Sequence, residues 1–424
     1  MITLASVVSC LSDYDPNALP VAQAQGIIRD FITPVSAIER VAIRSALDRV
    51  LAEDIISPIN VPAHDNSAMD GYAFSSKVLG AGDVALRVIG TAYAGTAFSG
   101  APSAGEAVRI MTGAVMPAGC DTVIPQEFTQ TEGDTVRFAG DAVKPGDNRR
   151  LAGEDLAMGQ AALTAGRVLR PADIGMLASL GVAEVPVRRR LRVAFFSTGD
   201  ELRSIGQPLD EGCVYDSNRY TLYGMLRRLN VEIVDMGVVP DSPEGLERAF
   251  RMACENADAI ITSGGVSVGE ADYTKQMMAK LGDVTFWTIA MRPGRPMAFG
   301  RIESNGHSAF LFGLPGNPVA VMVTFYHFVR GALLHMMGAD AKPLPLLRAR
   351  SAEAIRKRPG RTEYQRGILA LGADGTPEVR TTGQQGSGVL RSMSEANCFI
   401  VLEHERGKVE VGDPVQVMLF DGLV

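Results

Sequence analysis

The chain has 424 residues, and its 41 basic and 48 acidic residues give a net charge of -7, which does not favour binding to nucleic acid. The length predicts about two to four domains, and an apolar share of 46% fills several cores, which excludes intrinsic disorder. The five cysteines lie far apart and form no C-x-x-C pair, so we expect neither a disulfide framework nor a zinc cluster, and a cytoplasmic location fits.

The first half of the chain predicts a mixed N-terminal domain that is interrupted by a β domain. Apolar residues at positions 47, 50 and 51 place an amphipathic helix within 45–54, and helical character returns at 171–180. Between these segments, short alternating runs are separated by glycine-rich turns. We therefore assign residues 18–59 and 156–188 to the mixed domain and residues 60–155 to an inserted β domain.

The second half predicts a doubly wound α/β domain over residues 189–340. Leu191 to Thr198 is a near-continuous apolar strand, and amphipathic helices alternate with the strands that follow it. The apolar run from Val319 to Met337 is interrupted by charged and polar residues, so it predicts a buried helix and no membrane partner. Residues 341–424 predict a C-terminal β domain, with a hairpin turn at Asp374-Gly375.

A ligand site is expected at the carboxyl ends of the α/β strands, where open sheets of this kind bind ligands. Glycines after Ser263, together with a helix that begins near Asp272, favour a phosphate or a similar oxyanion. Five acidic residues share this edge: Asp200, Glu201, Asp241, Glu270 and Asp272. Each acid alone is interpreted as a helix cap or a solvated charge. Their coincidence beside an anion predicts a magnesium site, because carboxylates next to an anion cost energy unless a divalent cation intervenes.

Three other loops carry candidate site residues. Arg292 and Arg295 each precede a proline, and two guanidinium groups held in this way favour binding of an oxyanion, although pairing with surface acids is the alternative. The segment 313–318 is either part of the site or only a turn before a helix. Segment 64–72 crowds acids, an amide and a hydroxyl together, which indicates either an Asx-turn scaffold or a site.

Seven motifs occur in order along the chain: Asp65-Asn-Ser-Ala-Met-Asp-Gly-Tyr-Ala73, Arg109-Ile-Met-Thr-Gly113, Gly153-Glu-Asp155, Phe196-Ser-Thr-Gly-Asp-Glu-Leu202, Tyr215-Asp-Ser-Asn-Arg219, Ser263-Gly-Gly-Val-Ser-Val-Gly-Glu-Ala-Asp-Tyr-Thr274 and Gly313-Leu-Pro-Gly-Asn-Pro318. This set resembles the motifs of the molybdopterin molybdenumtransferases, the MoeA family that includes the gephyrin E domain. The resemblance runs from about residue 20 to the C terminus, and seven motifs in the correct order make chance agreement negligible.

The resemblance implies an enzyme of molybdenum cofactor biosynthesis that inserts molybdate into the dithiolene of adenylylated molybdopterin and releases AMP. It implies a requirement for Mg²⁺ and no tightly bound organic cofactor. It also implies a homodimer in which the α/β domain of one subunit faces the inserted β domain of the other. The molybdopterin adenylyltransferase is a further expected partner.

Motif by motif, the resemblance implies catalytic roles for Asp70 and Thr112 on the inserted domain. It implies catalytic roles and magnesium binding for Glu201, Asp241 and Asp272 on the α/β domain. The implied substrate-binding residues are Ser263, Gly264, Gly265, Ser267, Arg292, Arg295, Pro315, Asn317, Arg366 and Ser387. This chain departs from the family pattern in three places, since Arg292 and Arg295 replace two lysines, Thr288 stands where a lysine is expected, and Ala320 stands where serine is frequent.

Two other functions compete with this one. The α/β domain also resembles the molybdopterin adenylyltransferase of the same pathway, but that enzyme resembles the α/β domain alone. A non-catalytic scaffold, like the receptor-binding role of the gephyrin E domain, would need linker or partner domains, and we find neither in this sequence.

Overall fold

A computed structural model of the chain describes residues 3–9, 14–266, 273–340 and 342–420. Up to residue 188 it contains helices α1 (Leu4–Val8), α2 (Val21–Phe31) and α3 (Pro171–Ser179). The strands of this part are β1 (Ile38–Ala42), β2 (Ile55–Ile56), β3 (Asn66–Ser67), β4 (Gly71–Phe74), β5 (Asp83–Ala92), β6 (Glu106–Ile110), β7 (Thr122–Pro125), β8 (Gln130–Glu132), β9 (Thr135–Ala139), β10 (Arg149–Arg150), β11 (Ala161–Leu163) and β12 (Glu184–Arg188).

The mixed N-terminal unit is built from two small antiparallel pairs, β1 with β12 and β2 with β11, and from α3. Our prediction of a helix within 45–54 is wrong, because only a short 3-10 turn at Ile43–Ser45 precedes this segment. Asp48 has a left-handed backbone with φ 59°, and Leu51 forms a bridge with Val187. Pairing with distant strands therefore overrides the local helical period.

The inserted segment is all β, as predicted. Its main sheet has the strand order β7-β4-β6-β5-β9-β8, and β3 pairs with β10 beside it. Apolar side chains lie on both faces of the sheet: Tyr72 and Phe74 belong to one cluster, and Ala73 belongs to the other. These two clusters contain no residue of the later domains, so the inserted segment has its own core.

The α/β domain follows. Its strands are β13 (Arg192–Thr198), β14 (Leu202–Arg203), β15 (Val214–Tyr215), β16 (Glu232–Val239), β17 (Ala259–Ser263), β18 (Gly282–Thr288), β19 (Met291–Arg292), β20 (Pro296–Ser304) and β21 (His307–Leu314). Its helices are α4 (Ser217–Arg228), α5 (Pro243–Asn256), α6 (Tyr273–Leu281), α7 (Pro318–Thr324) and α8 (Arg330–Met336), and a π-helical turn at Phe325–Val329 joins the last two.

The central sheet has the order β16-β13-β17-β21-β20-β18, and β20 alone runs against the others. Alternate residues of β13 point to opposite faces. Phe195 packs with α4 and the α7–α8 segment, whereas Phe196 packs with α5 and α6. Helices therefore cover both faces, and the predicted doubly wound α/β fold is confirmed.

Helix α2 packs on this sheet rather than on the mixed N-terminal unit to which we assigned residues 18–59. The ring of Phe31 lies edge-on to the rings of Phe299 and Phe310, with centroids 5.6 and 5.9 Å apart. Leu19 also forms a bridge with Ile289. The large aromatic surface of the sheet offers more apolar burial than the small leucine-rich core of the mixed unit does.

Among the described residues, one helical segment, Pro318–Met336, is long and apolar enough to cross a membrane, and most of it is buried inside the protein. Val321, Phe325 and Leu333 have no exposed surface and belong to the main core. A helix that is apolar all round is what the centre of a large core requires, so the segment is a core helix here.

The C-terminal domain contains β22 (Leu347–Ser351), β23 (Thr362–Leu371), β24 (Pro377–Thr381), α9 (Arg391–Glu395), β25 (Cys398–Leu402) and β26 (Pro414–Leu419). The order β23-β24-β22-β26-β25 closes on itself because β25 also pairs with β23. The result is a five-stranded barrel, and the predicted hairpin at Asp374-Gly375 joins β23 to β24. Strand β19 of the α/β domain pairs with β23, which fixes the barrel against that domain.

Burial of His327 between the core helix and the barrel makes folding sensitive to acid. Its ring stacks on Tyr364 with centroids 3.7 Å apart, and burial lowers its pKa from 6.5 to about 3. Only the unfolded chain then takes up a proton as the pH falls below 6.5, so stability decreases in that direction.

We expect His327 to cost the folded state about 2 kcal/mol between pH 7 and pH 5. His327→Phe should remove this part of the pH dependence of urea unfolding, because phenylalanine does not titrate and keeps the stack on Tyr364. His307→Gln, at an exposed histidine on β21, is the matched control. An unchanged pH dependence in His327→Phe would contradict the prediction.

Candidate active site

The site lies at the carboxyl ends of four parallel strands, which end in register with one another. Ser197 pairs with Ser263, which in turn pairs with Leu314, and Thr198 pairs with Val239. The loops after β13, β16, β17 and β21 consequently meet at one edge of the sheet, as we predicted. Ligands of open α/β sheets bind at this edge.

The loop after β17 depends on two glycines with left-handed backbones, Gly264 (φ 95°) and Gly265 (φ 68°). A Cβ on Gly264 would lie 2.6 Å from the carbonyl oxygen of Thr198, and one on Gly265 would lie 2.4 Å from the hydroxyl of Thr274. The Cα of Gly264 lies 3.9 Å from the position that a Cβ on Gly316 would occupy. Three loops thus approach closely enough to leave backbone groups, rather than side chains, facing the edge.

Gly264→Ala is expected to weaken substrate binding strongly, because the new Cβ collides with backbone that has no room to move. A residue other than glycine in this conformation also costs about 1–3 kcal/mol of strain. Gly224→Ala is the matched control, since its Cβ meets nothing within 4 Å. Equal retention of substrate affinity in both variants, measured by titration calorimetry, would show that the close approach at Gly264 has no role.

Asn218 is a site residue that we did not assign from the sequence. Its Nδ2 donates to the Ser263 hydroxyl at 2.8 Å and to the Gly316 carbonyl at 2.7 Å, so one amide ties two site loops together. Its Oδ1 is buried and accepts no hydrogen bond from the described residues. The buried hydroxyls of Ser197, Thr262 and Thr274 are also unsatisfied within the described part of the chain. Ser197, Thr262 and Thr274 have no exposed surface, so a ligand at the edge does not reach their hydroxyls, and Asn218 is the member of this group that connects the site loops.

Two of the three predicted magnesium ligands, Glu201 and Asp241, lie within the described residues. Glu201 is exposed, with its carboxylate 2.6 Å from where a Cβ on Gly199 would lie, and Asp241 is half-buried after β16. Asp272 and Ser267 lie outside the described residues. Within the described ranges, no three histidine, cysteine, aspartate or glutamate side chains lie close enough to hold a metal ion. The three-acid magnesium set therefore stays a prediction.

Asp70 and Thr112 lie together on the inserted domain, as predicted. One carboxylate oxygen of Asp70 accepts both the backbone N–H and the hydroxyl of Thr112, each at 2.7 Å. These two bonds, the backbone bond first, lower the pKa of Asp70 and keep it ionised. The pair is a fixed anionic group on a domain whose core is separate from that of the α/β domain.

Arg366 is a buried cation that has no carboxylate partner among the described residues. It is 1% exposed, its Nε donates to the Ser392 hydroxyl at 3.0 Å, and its Nη2 donates to the Gly386 carbonyl at 3.0 Å. Burial, with a further contribution from Arg292, lowers its pKa to about 10, so it remains charged at neutral pH. A buried guanidinium that faces a second arginine lacks a counter-charge, which an anionic ligand would supply.

The start of α7 brings the remaining predicted residues together. Asn317 is the N-cap position, and the Val319 N–H donates to the carbonyl of Ser387 at 3.0 Å. A Cβ on Gly294, between Arg292 and Arg295, would lie 2.5 Å from the Thr324 hydroxyl, so that loop packs on the same helix. Pro315 is buried beside it. Asn317 and Ser387 therefore lie at the N terminus of α7, and Arg366 bonds the residue before Ser387. The loop of Arg292 and Arg295 packs on the same helix near its last residue.

The fold and the site define a multidomain protein whose doubly wound domain presents a glycine-lined strand edge with both acidic residues and arginines nearby. Residues 19–181 match the MoeA N-terminal region (domain I and II), residues 194–335 match a probable molybdopterin binding domain, and residues 348–420 match the MoeA C-terminal region (domain IV). The chain belongs to the MoeA family of molybdopterin molybdenumtransferases, and the assignment made from its motifs is confirmed.

Several known proteins are similar over most of the chain. The molybdopterin molybdenumtransferase of Haemophilus influenzae is 45% identical over 388 residues, which cover 91% of this chain and 95% of that protein. Gephyrin of Dictyostelium discoideum is 32% identical, over 95% of this chain and 62% of its own length. The crystal structure of the molybdopterin biosynthesis moeA protein from Pyrococcus horikoshii superposes with a TM-score of 0.82 at 28% identity, covering 95% of this chain and 100% of that one.

Proposed function

We propose that this protein catalyses molybdenum insertion in molybdenum cofactor biosynthesis, transferring molybdenum from molybdate to the dithiolene of adenylylated molybdopterin with release of AMP. The observation that carries the proposal is the buried Arg366, which has no carboxylate partner among the described residues and bonds the loop that contacts the start of α7. The relatives named molybdopterin molybdenumtransferase, similar over nearly the whole chain, support the same reaction.

The pterin and phosphate groups of the substrate fit the strand edge. A pterin ring carries N–H donors, and Asn218 presents an unsatisfied acceptor among buried hydroxyls. The backbone of Gly264 and Gly265 and the hydroxyl of Ser263 would hold the phosphate end, together with Ser267, Pro315 and Asn317. Because these groups are fixed by the sheet and by the Asn218 bonds, little ordering is required when the substrate binds.

Molybdate fits the arginines near α7. A tetrahedral dianion would supply the counter-charge that Arg366 and Arg292 do not find among the described residues, and Arg295 and Ser387 would complete its contacts. Arginine replaces the family's two lysines at these positions. A planar guanidinium has several N–H donors, so each arginine can form paired hydrogen bonds to oxyanion oxygens, whereas an ammonium is a compact single charge. Molybdate is a substrate here, and the dithiolene sulfurs come from the other substrate.

Magnesium is part of the proposal. Glu201 and Asp241 follow neighbouring strands and supply the carboxylate oxygens that Mg²⁺ prefers, and Asp272 would be the third ligand. Bound there, the ion would neutralise charge on the pyrophosphate. The backbone of Gly264 and Gly265 and the arginines near α7 are the other parts of the proposed site.

The reaction is expected to take place in a cytoplasmic homodimer. Asp70 is a carboxylate that Thr112 holds by two hydrogen bonds on the inserted domain, and the core of that domain shares no residue with the α/β core. We propose that the pair completes the site of the partner subunit. The molybdopterin adenylyltransferase is a proposed partner because its product would be the substrate here.

The two alternatives are less well supported. An adenylyltransferase would account for the α/β domain alone, whereas the matches here extend over the N-terminal and C-terminal regions. A scaffold has no need for a buried arginine that finds no carboxylate in the described part of the chain, because its burial costs folding energy unless it binds a ligand.

The test is AMP release from purified protein that is given adenylylated molybdopterin, molybdate and Mg²⁺. We expect AMP to appear only when molybdate is present, and chelation of the metal to suppress it. Heat-denatured protein is the control for spontaneous hydrolysis. Tight binding of the adenylylated substrate without any molybdate-dependent release of AMP would contradict the proposal.

A further inference from the structure

A cavity of about 750 Å³ lies between the α/β domain and the barrel. Its charged lining is almost wholly basic: Arg292, Arg295, Arg356, Lys357, Arg358, Arg361, Lys408 and Glu363. We call this cavity the barrel cleft. Five of its seven cations come from the barrel, and neither the motifs nor the proposed reaction assigns a role to them.

Few of these cations are neutralised. Arg361 lies 3.0 Å from the single acid, Glu363, and Lys408 lies 2.7 Å from Glu410 outside the cleft. Arg356 and Arg358 form no ion pair with any described residue.

Lys357 is also without a carboxylate partner in the described part of the chain. It is only 7% exposed, and its Nζ donates to the carbonyl oxygens of His404 and Arg358 at 3.0 and 3.3 Å. Burial lowers the pKa of Lys357 because an ammonium loses hydration there. Burying the Lys357 ammonium costs folding energy, and a bound anion would offset that cost.

The barrel loop that carries the cations is held in place from both sides. Ile355 and Val409 exchange two backbone hydrogen bonds of 2.9 and 3.0 Å, and the Gly360 N–H donates to the His404 carbonyl at 3.0 Å. The Thr362 N–H donates at 2.9 Å to the carbonyl of Ala290, two residues before Arg292. The barrel cations therefore face Arg292 and Arg295 in a fixed arrangement.

We propose that the barrel cleft collects a tetrahedral dianionic oxyanion and passes it to Arg292 and Arg295. This inference rests on the proposed function, in which that oxyanion is molybdate. The protein as a whole carries a net charge of -7 and repels anions, so a local basic cleft is needed to raise their concentration at the site.

The cleft fits a small oxyanion better than a nucleotide. None of its described lining residues is aromatic, so the cleft offers no aromatic ring on which a base could stack. Its single acid is occupied by Arg361, which leaves no carboxylate to bring a metal ion with a phosphate chain. The cleft then recognises its ligand by charge alone, so added salt should weaken oxyanion binding.

The test is the double variant Arg356→Gln/Arg358→Gln, in which two exposed arginines without ion pairs lose their charge. We expect the KM for molybdate to rise roughly tenfold at low ionic strength, because steering of this kind changes association about 10- to 1,000-fold. The kcat at saturating molybdate should stay within about twofold, and the difference in KM should shrink as salt is added. Arg348→Gln/Arg380→Gln, on exposed barrel strands outside the cleft, removes the same charge and is the matched control.

Equilibrium dialysis of molybdate, with sulfate as competitor, separates this inference from the proposed function. If the wild type binds molybdate more tightly than the cleft variant does, the cleft collects oxyanions whether or not AMP is released. Equal affinity in both proteins, or an equal loss in the control variant, would overturn the inference.

Discussion

Arg366→Met is expected to abolish molybdate-dependent AMP release while leaving the protein as stable as the wild type or more stable. The guanidinium is 1% exposed and has no carboxylate partner among the described residues, so its burial costs folding energy that methionine avoids. The Ser392 hydroxyl keeps its bond to the Val389 carbonyl at 2.6 Å, and the exposed Gly386 carbonyl is free to bind water. Loss of one preorganised cationic donor typically slows catalysis about 100- to 1,000-fold.

Two measurements distinguish this role of Arg366 from a structural one. Molybdate should raise the thermal midpoint of the wild type clearly more than that of Arg366→Met, because stabilisation follows the affinity for the ligand. Arg350→Met, at an exposed arginine that pairs with Asp374, is the control for the charge change. If Arg366→Met unfolds at much lower temperature, or gains as much stability from molybdate as the wild type does, the guanidinium is a structural group and not the oxyanion ligand.

Much of the α/β domain could be predicted because its signals are local. The apolar run before Gly199 identified β13, and Ser242 caps α5 by accepting the Gly245 N–H at 3.3 Å. The helix prediction for segment 45–54 failed for the opposite reason. Its helical periodicity is real, but pairing with distant strands determines its structure. Helix α2 likewise has a normal amphipathic pattern, but this pattern does not indicate which of the two cores the helix packs against.

The site could be predicted in part for the same reason. The glycines after β17 and the two arginine–proline pairs are local motifs, and the structure brings their loops to the predicted edge. Asn218 lies in the motif Tyr215–Arg219, which marks the segment but not the role of this residue, because its hydrogen-bond partners are 45 and 98 residues away. The barrel cations were missed because Lys408 and the loop around Arg356 come together only when the barrel closes.

Mixing two inactive variants is expected to restore activity if the site is shared between subunits. Asp70→Ala removes the acidic group of the inserted domain, and Arg366→Met removes the cation at α7. In a dimer with sites formed across the interface, a mixed dimer carries both defects in one site and none in the other. Random exchange then leaves about a quarter of all sites intact, because half of the dimers are mixed and half of their sites are complete.

The expected result is therefore about a quarter of the wild-type rate of AMP release after subunit exchange, against almost none for either variant alone. Thr112 holds Asp70 as a carboxylate, and the core of the domain that carries this pair is separate from the α/β core. A tagged mixture separated by affinity chromatography shows whether exchange has occurred. If mixed dimers form and remain inactive, each subunit completes its own site, and the acidic pair of the inserted domain acts within its own chain.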